Sequence, residues 1–348
     1  MHYEPVILPK DGHPHKCVVE WWYYNGLLEA EDGRRFAYMF CLFKVDNKKV
    51  AIPLLSRLPV KTVFFSHSLL SDLSRQKFYP TVDYYSVISK DSFKRPLLFA
   101  NFTNPLLGFG KYVNSVLEEG EGPSFHLKRE EFDLHLTSTK SALLEGGKGF
   151  LELHDRSTYY YSYTNLATEG IIIMDGEVIK VKGKSWMDHQ WADNRYAEDR
   201  WTWFSVQLEN NVELVCFEYA NGEIKDYLAS IIYADGHQEH YKKIYFTPLG
   251  EPWESKKTHS TYQLNWKIEV PEKDIILEVE PEIKIQEMIF SAIKYWEGPL
   301  KVRGKMAGKE VQGQGFLELV GRPLQYGALK LTAELLKELK NKMTWDRV

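Results

Sequence analysis

The stretch KSWMDHQW, residues 184–191, places a carboxylic acid and an imidazole side by side between two tryptophans. If this stretch is a strand, its side chains alternate between two faces. Asp188 then shares a face with Trp186. His189 shares the opposite face with Trp191. Burial among rings raises the pKa of a carboxyl group and lowers that of a histidine, and an acid that keeps its proton near neutral pH suits general acid catalysis. The structural alternative is that Asp188 caps a turn and His189 satisfies it.

A second acid, Glu218, lies in the segment VELVCFEYA, residues 212–220. In a strand it shares its face with small and apolar residues, so the sequence predicts a buried carboxyl group. Burying a carboxylate is costly unless the group is hydrogen-bonded or paired. The alternative to a catalytic role is therefore a buried ion pair with an arginine such as Arg200 or Arg195.

Aromatic residues make up 14% of the chain, including 10 Trp and 21 Tyr. Ring faces stabilise a positive charge by roughly 0.5 to 2 kcal/mol each. A buried acid beside such rings suits protonation of an alkene to a carbocation, which water or an internal nucleophile then captures. The alternative is a well-packed aromatic core. The rings assigned to substrate binding are Trp22, Tyr24, Tyr161, Trp186, Trp191 and Trp203.

Composition argues against several other classes of protein. A net charge of -4 provides no basic excess for a nucleic acid backbone. The sequence lacks a dinucleotide-binding GxGxxG, a Walker A loop, a GxSxG elbow and an HExxH motif, and its scattered histidines predict no metal site. No window approaches the roughly 18 apolar residues of a membrane span, so no integral membrane segment is expected.

The three cysteines form no disulfide or metal-binding pattern, which indicates free thiols in a reducing compartment. The N-terminus carries no charged leader followed by an apolar stretch. We therefore expect a cytoplasmic protein, or a secreted or periplasmic one if a leader was removed.

Short runs of β-branched and aromatic residues, separated by Asp-Gly, Asn-Gly and Gly-Gly turns, predict an all-β chain of antiparallel hairpins. Closure into barrels or sandwiches would remove exposed strand edges. The stretch 58–80 and the following run, rich in Lys and Phe, to about Tyr112 fit the strand pattern less well and are predicted to be a loop with a short helix over one barrel mouth. Leucines at helical spacing in residues 325–343 predict one amphipathic C-terminal α-helix.

Two internal similarities indicate a duplication. The pentapeptide GFLEL occurs at residues 149–153 and again at 315–319. Residues 21–43 and 201–220 each run from tryptophans through a strand, a polar turn and a second apolar strand. Such self-similarity is typical of repeated structural units. We expect an N-terminal domain over 1–167 and a C-terminal domain, with the terminal helix, over 168–348.

Four segments resemble the hydroxyneurosporene synthase and AttH-type family of carotenoid hydratases and their relatives. They are HPHKCVVEWWYYNGLLEAEDGRRFAYMF (13–40), YYYSYTNL (159–166), VKGKSWMDHQW (181–191) and YWEGPLKVRGKMAGKEVQGQGFLELVGR (295–322). The resemblance implies two tandem lipocalin-like antiparallel β-barrel or sandwich domains with an apolar pocket. It also implies chemistry that needs no cofactor.

Residue by residue, the resemblance places Asp188, His189 and Trp191 in the family's Asp-His-x-Trp piece. It makes Glu218 the counterpart of an acid on a later strand that donates a proton in the hydratases. Gln190 departs from the family, because many relatives carry a glutamate there.

The leading hypothesis is a cofactor-independent hydratase or cyclase that uses acid catalysis on an isolated double bond of a terpenoid- or carotenoid-like substrate. Asp188 or Glu218 would donate the proton, and His189 would orient the acid or a water. The expected partner is a hydrophobic small molecule, collected by transient contact with a membrane. The alternative is a non-catalytic, lipocalin-like carrier of such a molecule. Hydrolysis ranks last, since the sequence shows no recognisable nucleophile constellation.

Overall fold

The computed structural model describes residues 4–50, 61–88, 98–103, 111–119, 122–194, 199–290 and 293–321. Within these ranges the chain is all-β and has no α-helix, only short 3-10 turns at Lys10–Gly12, Glu145–Gly147 and Pro271–Lys273. The strands form two large antiparallel sheets, as the sequence predicts. No helix in the described ranges has the length and apolar character needed to cross a membrane.

The first sheet contains twelve described strands. They are β1 (Val19–Ala30), β2 (Arg35–Asp46), β3 (Thr62–Asp72), β4 (Lys77–Ile88), β5 (Leu98–Thr103), β6 (Lys111–Glu119), β7 (Gly122–Lys128), β8 (Phe132–Ser138), β9 (Leu143–Leu144), β10 (Phe150–Glu152), β11 (Ser157–Met174) and β12 (Glu177–Ala192). From β12 the order runs through β1 and β2 to β8, and β8 then pairs with β11, the other neighbour of β12. The pairings therefore close into a ring, which removes free edges from these strands.

The second sheet contains ten described strands and stays open. They are β13 (Arg200–Leu208), β14 (Glu213–Asn221), β15 (Ile224–Ile232), β16 (Gln238–Tyr241), β17 (Tyr245–Pro248), β20 (Trp266–Val270), β21 (Ile275–Pro281), β22 (Glu287–Phe290), β23 (Ile293–Met306) and β24 (Lys309–Val320). A separate ribbon pairs β18 (Trp253–Glu254) with β19 (Thr261–Tyr262). Strands β24 and β14 flank β13 at the centre of the second sheet, as β12 and β2 flank β1 in the first.

The Asp-Gly turn between β11 and β12 shows how the sequence fixes the register of a hairpin. Asp175 and Gly176 both have positive φ, 51° and 80°. Two such residues in a row match the twist of antiparallel strands, and Asp-Gly tolerates this conformation better than most pairs. Met174 therefore pairs with Glu177, and the register continues to the segment that contains Asp188.

Three sequence-based expectations need comment. The loop and short helix predicted for 58–80 are wrong where the structure describes this stretch, because β3 and the start of β4 occupy it and pair along their length. The predicted domain boundary after residue 167 lies inside β11, and sheet membership changes only between Ala192 and Arg200. We propose that the two units divide there. The predicted C-terminal helix, 325–343, lies outside the described residues.

Apolar side chains collect in three cores. One lies inside the ring of the first sheet and includes Trp22, Phe36 and Phe132. A second belongs to the second sheet alone and includes Phe204 and Trp296. The third draws on both sheets, with residues such as Trp186 from the first and Trp203 from the second, so it lies between them.

Ion pairs link the two halves around this shared core. The Nη1 of Arg35 on β2 contacts Oε2 of Glu282, which follows β21, at 2.5 Å. Lys140, between β8 and β9, contacts Glu213 on β14 at 2.5 Å. Each pair joins a residue before 193 to one after 199, so the sheets are held face to face by charges as well as by apolar contact.

Candidate functional site

Cross-strand register aligns a row of polar residues on one face of the first sheet. Asp188 on β12 lies opposite Tyr23 on β1 and opposite Ser162 on β11. Tyr23 in turn lies opposite Cys41 on β2, which lies opposite His67 on β3. Directly opposed residues point to the same side of a sheet. This row therefore faces the core between the sheets.

A matching row crosses the second sheet. Glu318 on β24 lies between Glu297 on β23 and Trp203 on β13, and Trp203 lies opposite Phe217 on β14. The two rows meet through hydrogen bonds. Trp203 Nε1 donates to the Tyr160 hydroxyl at 2.9 Å. We call the residues that meet here the interface cluster: Tyr23, Tyr160, Asp188, Trp203, Glu297 and Glu318.

Asp188 is 4% exposed and accepts three hydrogen bonds from neutral groups. Ser162 Oγ and Trp186 Nε1 both donate to Oδ1 at 2.6 Å, and the Tyr160 hydroxyl donates to Oδ2 at 2.8 Å. Burial raises the pKa of Asp188 to about 7, although these three bonds act in the opposite direction. A carboxyl group in this setting still holds its proton over much of the range near neutrality.

Three further carboxyl groups lie in the same region: Glu145 and Glu297 are buried, and Glu318 is partly buried. Burial raises the pKa of Glu318 to about 7 and that of Glu297 well above its ordinary value, and the negative charge of nearby acids raises both pKa values further. Glu145 has a pKa raised well above its ordinary value by burial and by Asp188, and its Oε1 lies 3.5 Å from Ser162 Oγ. The space between the sheets therefore concentrates proton-holding acids among aromatic rings.

His189 lies on the other face of β12, inside the ring of the first sheet. Its Nε2 lies 3.0 Å from Oε1 of Glu20, and its Nδ1 lies 3.1 Å from the Tyr161 hydroxyl. Trp22 stacks on the imidazole with centroids 4.6 Å apart. Burial lowers the pKa of His189 to about 4, against the raising effect of Glu20. The imidazole is therefore neutral at pH 7 and does not touch Asp188.

Glu20 is the centre of this second group. Besides His189, it contacts His15 Nδ1 at 2.8 Å and Lys44 Nζ at 2.7 Å. Burial pushes the Glu20 pKa upward, but the hydrogen bonds to the two histidines and the charge of Lys44 outweigh it and hold the pKa well below its usual range. We call these residues the ring cluster: His15, Glu20, Lys44, Tyr161 and His189.

Two imidazoles and one carboxylate are a donor set that transition metals accept. His15, Glu20 and His189 have ligand atoms that all lie within 4.8 Å of one another. The ammonium group of Lys44 already supplies positive charge at Glu20, however. A metal cation bound there would be repelled by the ammonium group of Lys44. The ring cluster therefore fits a structural network of ion pairs better than a metal centre. A second set, His126, Asp133 and His135, lies toward the surface and is capped by Lys128.

The structure separates the predicted site residues into three places: the core between the sheets, the inside of the first sheet, and, for Glu218, the face of the second sheet opposite the interface cluster. Asp188, Trp186 and Trp203 contribute to the core between the sheets. His189 lies with four of the predicted rings inside the first sheet: Trp22, Tyr24, Tyr161 and Trp191. The alternation predicted for residues 184–191 is confirmed, since Asp188 and His189 face opposite cores.

The predicted burial of Glu218 is wrong. Its side chain is 24% exposed and forms a 2.9 Å ion pair with Lys225 rather than with Arg200, whereas Arg195 lies outside the described residues. The reason is position: Glu218 lies toward the end of β14, opposite Tyr227 of β15, where Lys225 of the same strand reaches its carboxyl group. It also points away from Phe217 and Trp203, on the face of the second sheet opposite the interface cluster.

Sequence reasoning missed Glu297 and Glu318, although a signal for Glu318 was present. The strand VKGKSWMD, 181–188, matches VQGQGFLE, 311–318, and the match places Asp188 over Glu318. The structure gives these two acids equivalent places, one opposite Tyr23 on β1 and the other opposite Trp203 on β13. In contrast, the two GFLEL copies lie on non-equivalent strands, β10 and β24.

An open groove of about 810 Å³ lies elsewhere on the first sheet. Its lining includes charged residues such as Glu29, Lys182 and Glu169, with Gln314 from the second sheet. None of the predicted catalytic or substrate-binding residues lines it, so we do not assign the chemistry to this groove.

Two curated relatives align with about half of the chain. Dehydratase asqC of Emericella nidulans is 24% identical over 202 residues, 54% of this chain and 58% of that protein. Kievitone hydratase of Fusarium solani subsp. phaseoli is 21% identical over 198 residues, 54% of this chain and 56% of that protein. The chain thus spans a little over half the length of the curated relatives it matches.

Solved structures match over most of the chain. A protein described as AttH from Nitrosomonas europaea has a TM-score of 0.74 at 23% identity, covering 91% of this chain and 97% of that one. Kievitone hydratase from Nectria haematococca has a TM-score of 0.67 at 18% identity, covering 91% and 93%. At these identities the likeness supports the fold. A family model described as AttH-like matches residues 2–322, nearly the whole chain. The chain therefore belongs to the AttH-like family.

Proposed function

We propose that the protein is a hydratase or dehydratase that adds water to, or removes it from, a double bond of a hydrophobic small molecule, with Asp188 as the proton donor. The observation that carries this proposal is the setting of Asp188. It is buried between the sheets, and its three hydrogen-bond donors in the described chain are all neutral. An ion pair would hold the carboxyl group ionised, whereas burial without a partner charge favours the protonated acid and outweighs the opposite effect of the three hydrogen bonds.

The rings around Asp188 suit the intermediate of such a reaction. Protonation of an alkene carbon leaves a positive charge on its neighbour, and ring faces attract that charge. Trp186 and Trp203 meet edge to face with centroids 6.4 Å apart, and Tyr160 bonds to both Asp188 and Trp203. Water that adds to the cation completes hydration, and the reverse order of steps gives dehydration. Capture by a nucleophile within the substrate would instead give cyclisation.

The comparisons support the reaction class in outline, because one named relative is a hydratase and another a dehydratase. These are opposite directions of one chemistry. Acid catalysis, a terpenoid- or carotenoid-like substrate and independence from cofactors are parts of our proposal. Asp188 is preferred over Glu218 because Glu218 is paired with Lys225 on the opposite face of the second sheet.

The four predicted rings inside the first sheet receive a different role in this proposal. Trp22, Tyr24, Tyr161 and Trp191 pack around His189 or within the apolar core of the ring. They fix β1, β11 and β12 relative to one another and thereby position Asp188, which lies on the opposite face of β12. His189 is then a positioning residue that acts through the sheet.

The proposal is tested by incubating the purified protein with kievitone, neurosporene and geraniol in water labelled with heavy oxygen. Mass spectrometry then measures the gain or loss of one water. We expect turnover of at least one probe by the wild type and loss of turnover in Asp188→Asn, while affinity for that probe is kept. Binding without turnover in both proteins would contradict the proposal and support a carrier.

A further inference from the structure

Hydration needs a group that accepts a proton from the adding water as well as a group that donates one to the alkene. The wall of the second sheet that faces Asp188 carries two adjacent carboxyl groups, Glu297 on β23 and Glu318 on β24. They lie directly opposite each other in an antiparallel pair, where Cβ atoms are about 5 Å apart. Glu297 is fully buried, and Trp203 extends the same row.

One oxygen of Glu297 is left without a protein partner. Oε1 accepts a 2.6 Å hydrogen bond from the Tyr23 hydroxyl of the first sheet. Oε2 is buried and has no hydrogen-bond partner among the described residues. Such orphaned atoms are rare in folded proteins, because each lacks the solvation that water or a partner would give. In an enzyme site the missing partner is commonly a water or a substrate group.

We propose that Glu297 is a second catalytic carboxyl group, whose Oε2 takes a proton from the water that adds to the substrate. This inference rests on the proposed hydratase function and names the base that Asp188 requires. Glu318 and Tyr23 are positioning residues. Glu318 controls the charge on Glu297, and Tyr23 fixes its orientation by bonding to Oε1.

Two carboxyl groups this close do not ionise independently. Once one is ionised, the like charge and the low dielectric strongly oppose ionisation of the other. The Glu297–Glu318 pair therefore retains one proton over a wide pH range. Glu318 loses its proton more readily, with a pKa of about 7, so Glu297 acts as a base when the shared proton lies on Glu318 and the negative charge lies on Glu297. Trp201 Nε1 donates to Glu318 Oε2 at 2.9 Å, which anchors the second member of the pair.

The step balances in atoms and charge. Asp188 transfers its proton to one alkene carbon, and the π electron pair becomes the new C–H bond. The water oxygen bonds to the adjacent cationic carbon, and one water proton moves to Oε2 of Glu297. After turnover Asp188 is ionised and Glu297 is protonated. A proton returns from Glu297 to Asp188 through solvent exchange when the product leaves, and dehydration runs the same steps backward.

Among the described residues, the groups that influence the charge of Glu297 are the acids Glu318 and Asp188 and the hydroxyl of Tyr23. Burial, together with nearby acids, raises the pKa values of Tyr23, Tyr295 and Cys41. Burial lowers the pKa of His67 to about 3. All four groups are therefore neutral at pH 7. The titratable groups facing this site are Tyr23, Cys41, His67, Asp188, Tyr295 and Glu318. The pH response of Glu297 is thus set mainly by Asp188 and Glu318.

Three variants test the inference: Glu297→Gln, Glu318→Gln and, as a matched control, Glu287→Gln. Glu287 is a buried glutamate of the same sheet that accepts bonds from Ser255, Thr258 and Tyr262. It pairs with Trp296, on the face opposite the interface cluster. It therefore reports the effect of replacing a buried acid without touching the proposed base.

The measurements are kcat and KM across pH with whichever of kievitone, neurosporene and geraniol the wild type converts. We expect Glu297→Gln to lower kcat by about 100-fold or more, as loss of a general base does, with KM changed by less than about threefold. Glu318→Gln should keep most of kcat and move the acidic limb of the profile to lower pH, because removal of the neighbouring acid lowers the pKa of Glu297. Glu287→Gln should keep both kcat and the profile.

The outcomes separate the inference from the proposed function. If the wild type converts a probe and Glu297→Gln converts it at a similar kcat, Glu297 is not the base, while the hydratase proposal stands. An unshifted profile in Glu318→Gln would overturn the positioning role of Glu318. If the wild type binds all three probes and converts none, the proposed function fails and takes the inference with it.

Discussion

Tyr23 of the first sheet donates a 2.6 Å hydrogen bond to Glu297 of the second. Tyr23 also lies opposite Asp188 in the β1–β12 register, and Asn25 donates to its hydroxyl oxygen at 2.9 Å. The Tyr23 phenol thus bonds to the acid of one wall and lies in register with the acid of the other. The interface cluster draws on both halves of the chain, and the Tyr23 and Trp203 rings meet across it with centroids 5.5 Å apart.

Removing this phenol hydroxyl should weaken the network. Tyr23→Phe leaves Oε1 of buried Glu297 without its donor, and such a loss costs roughly 1 to 3 kcal/mol. We expect the free energy of unfolding in urea to fall by about that amount. Tyr38→Phe, which removes a buried hydroxyl bonded to Ser185 within the first sheet, is the control. If Tyr23→Phe leaves the stability unchanged, the bond to Glu297 does not stabilise the fold.

Replacing the proposed acid should separate activity from folding. In Asp188→Asn the amide oxygen still accepts from Ser162 and Trp186, but no proton is available for transfer. Loss of a general acid lowers turnover by about 100- to 10,000-fold. We expect that loss in kcat, measured with a probe the wild type converts, while the thermal midpoint is kept or raised. Glu218→Gln, by comparison, should retain turnover because its carboxyl group lies on the other face.

The buried acids predict how stability depends on pH. The pKa of Asp188 rises from its ordinary 3.8 to about 7 on folding, so the folded state holds a proton that the unfolded state has lost. Its contribution to stability is present below pH 3.8 and is lost as pH rises through about 7.

At about 1.4 kcal/mol per pKa unit, this contribution is at most about 4 kcal/mol. The check is urea denaturation from pH 4 to pH 8. The difference in unfolding free energy between the wild type and Asp188→Asn should decrease across this range and level off above about pH 7. A difference that stays constant with pH would show that Asp188 has an ordinary pKa.

The ring cluster predicts the opposite trend. The pKa of Glu20 is held below its usual range, so its contribution is present above pH 4.5 and is lost as the pH falls below that value. Glu20→Gln leaves the partly buried Lys44 ammonium group without its carboxylate, and breaking such a pair costs about 3 kcal/mol. We expect that loss in unfolding free energy at pH 7 and a smaller one at pH 3.

A double-mutant cycle isolates the Glu20 pair. Lys44→Met in the Glu20→Gln background removes the charge that was left unpaired, so the double variant should recover part of the lost stability. Purely additive effects of the two substitutions would mean that the two side chains do not interact.

Much of the fold could be predicted from local signals. Turn residues such as Asp175 and Gly176 mark hairpins, and alternation in residues 184–191 correctly sends Asp188 and His189 to different faces. Strands β3 and β4 escaped detection because their register depends on the pairing of β3 with β2 and of β4 with β3 rather than on turn chemistry. The boundary expected after residue 167 stays a prediction, and our proposed division after Ala192 differs from it because β11 and β12 continue the first sheet beyond residue 167.

The candidate site was only partly predictable. Alternation finds which residues share a face, but it does not find which two faces meet, because that depends on how the sheets pack. Glu297 and Glu318 enter the site through this long-range packing. The predicted burial of Glu218 was wrong for a related reason. Apolar neighbours in the sequence do not ensure burial near the end of a strand, where Lys225 reaches the carboxyl group.

The unusual proton affinity of Asp188 and Glu318 depends on each sheet shielding the acids of the other from water. If the halves moved apart, both carboxyl groups would be hydrated and would release their protons near neutral pH. The pKa values of Asp188 and Glu318 are therefore linked to the packing of one sheet against the other. A ligand that held the two halves apart would cause Asp188 to lose its proton. A ligand around which the halves close would leave the acid protonated.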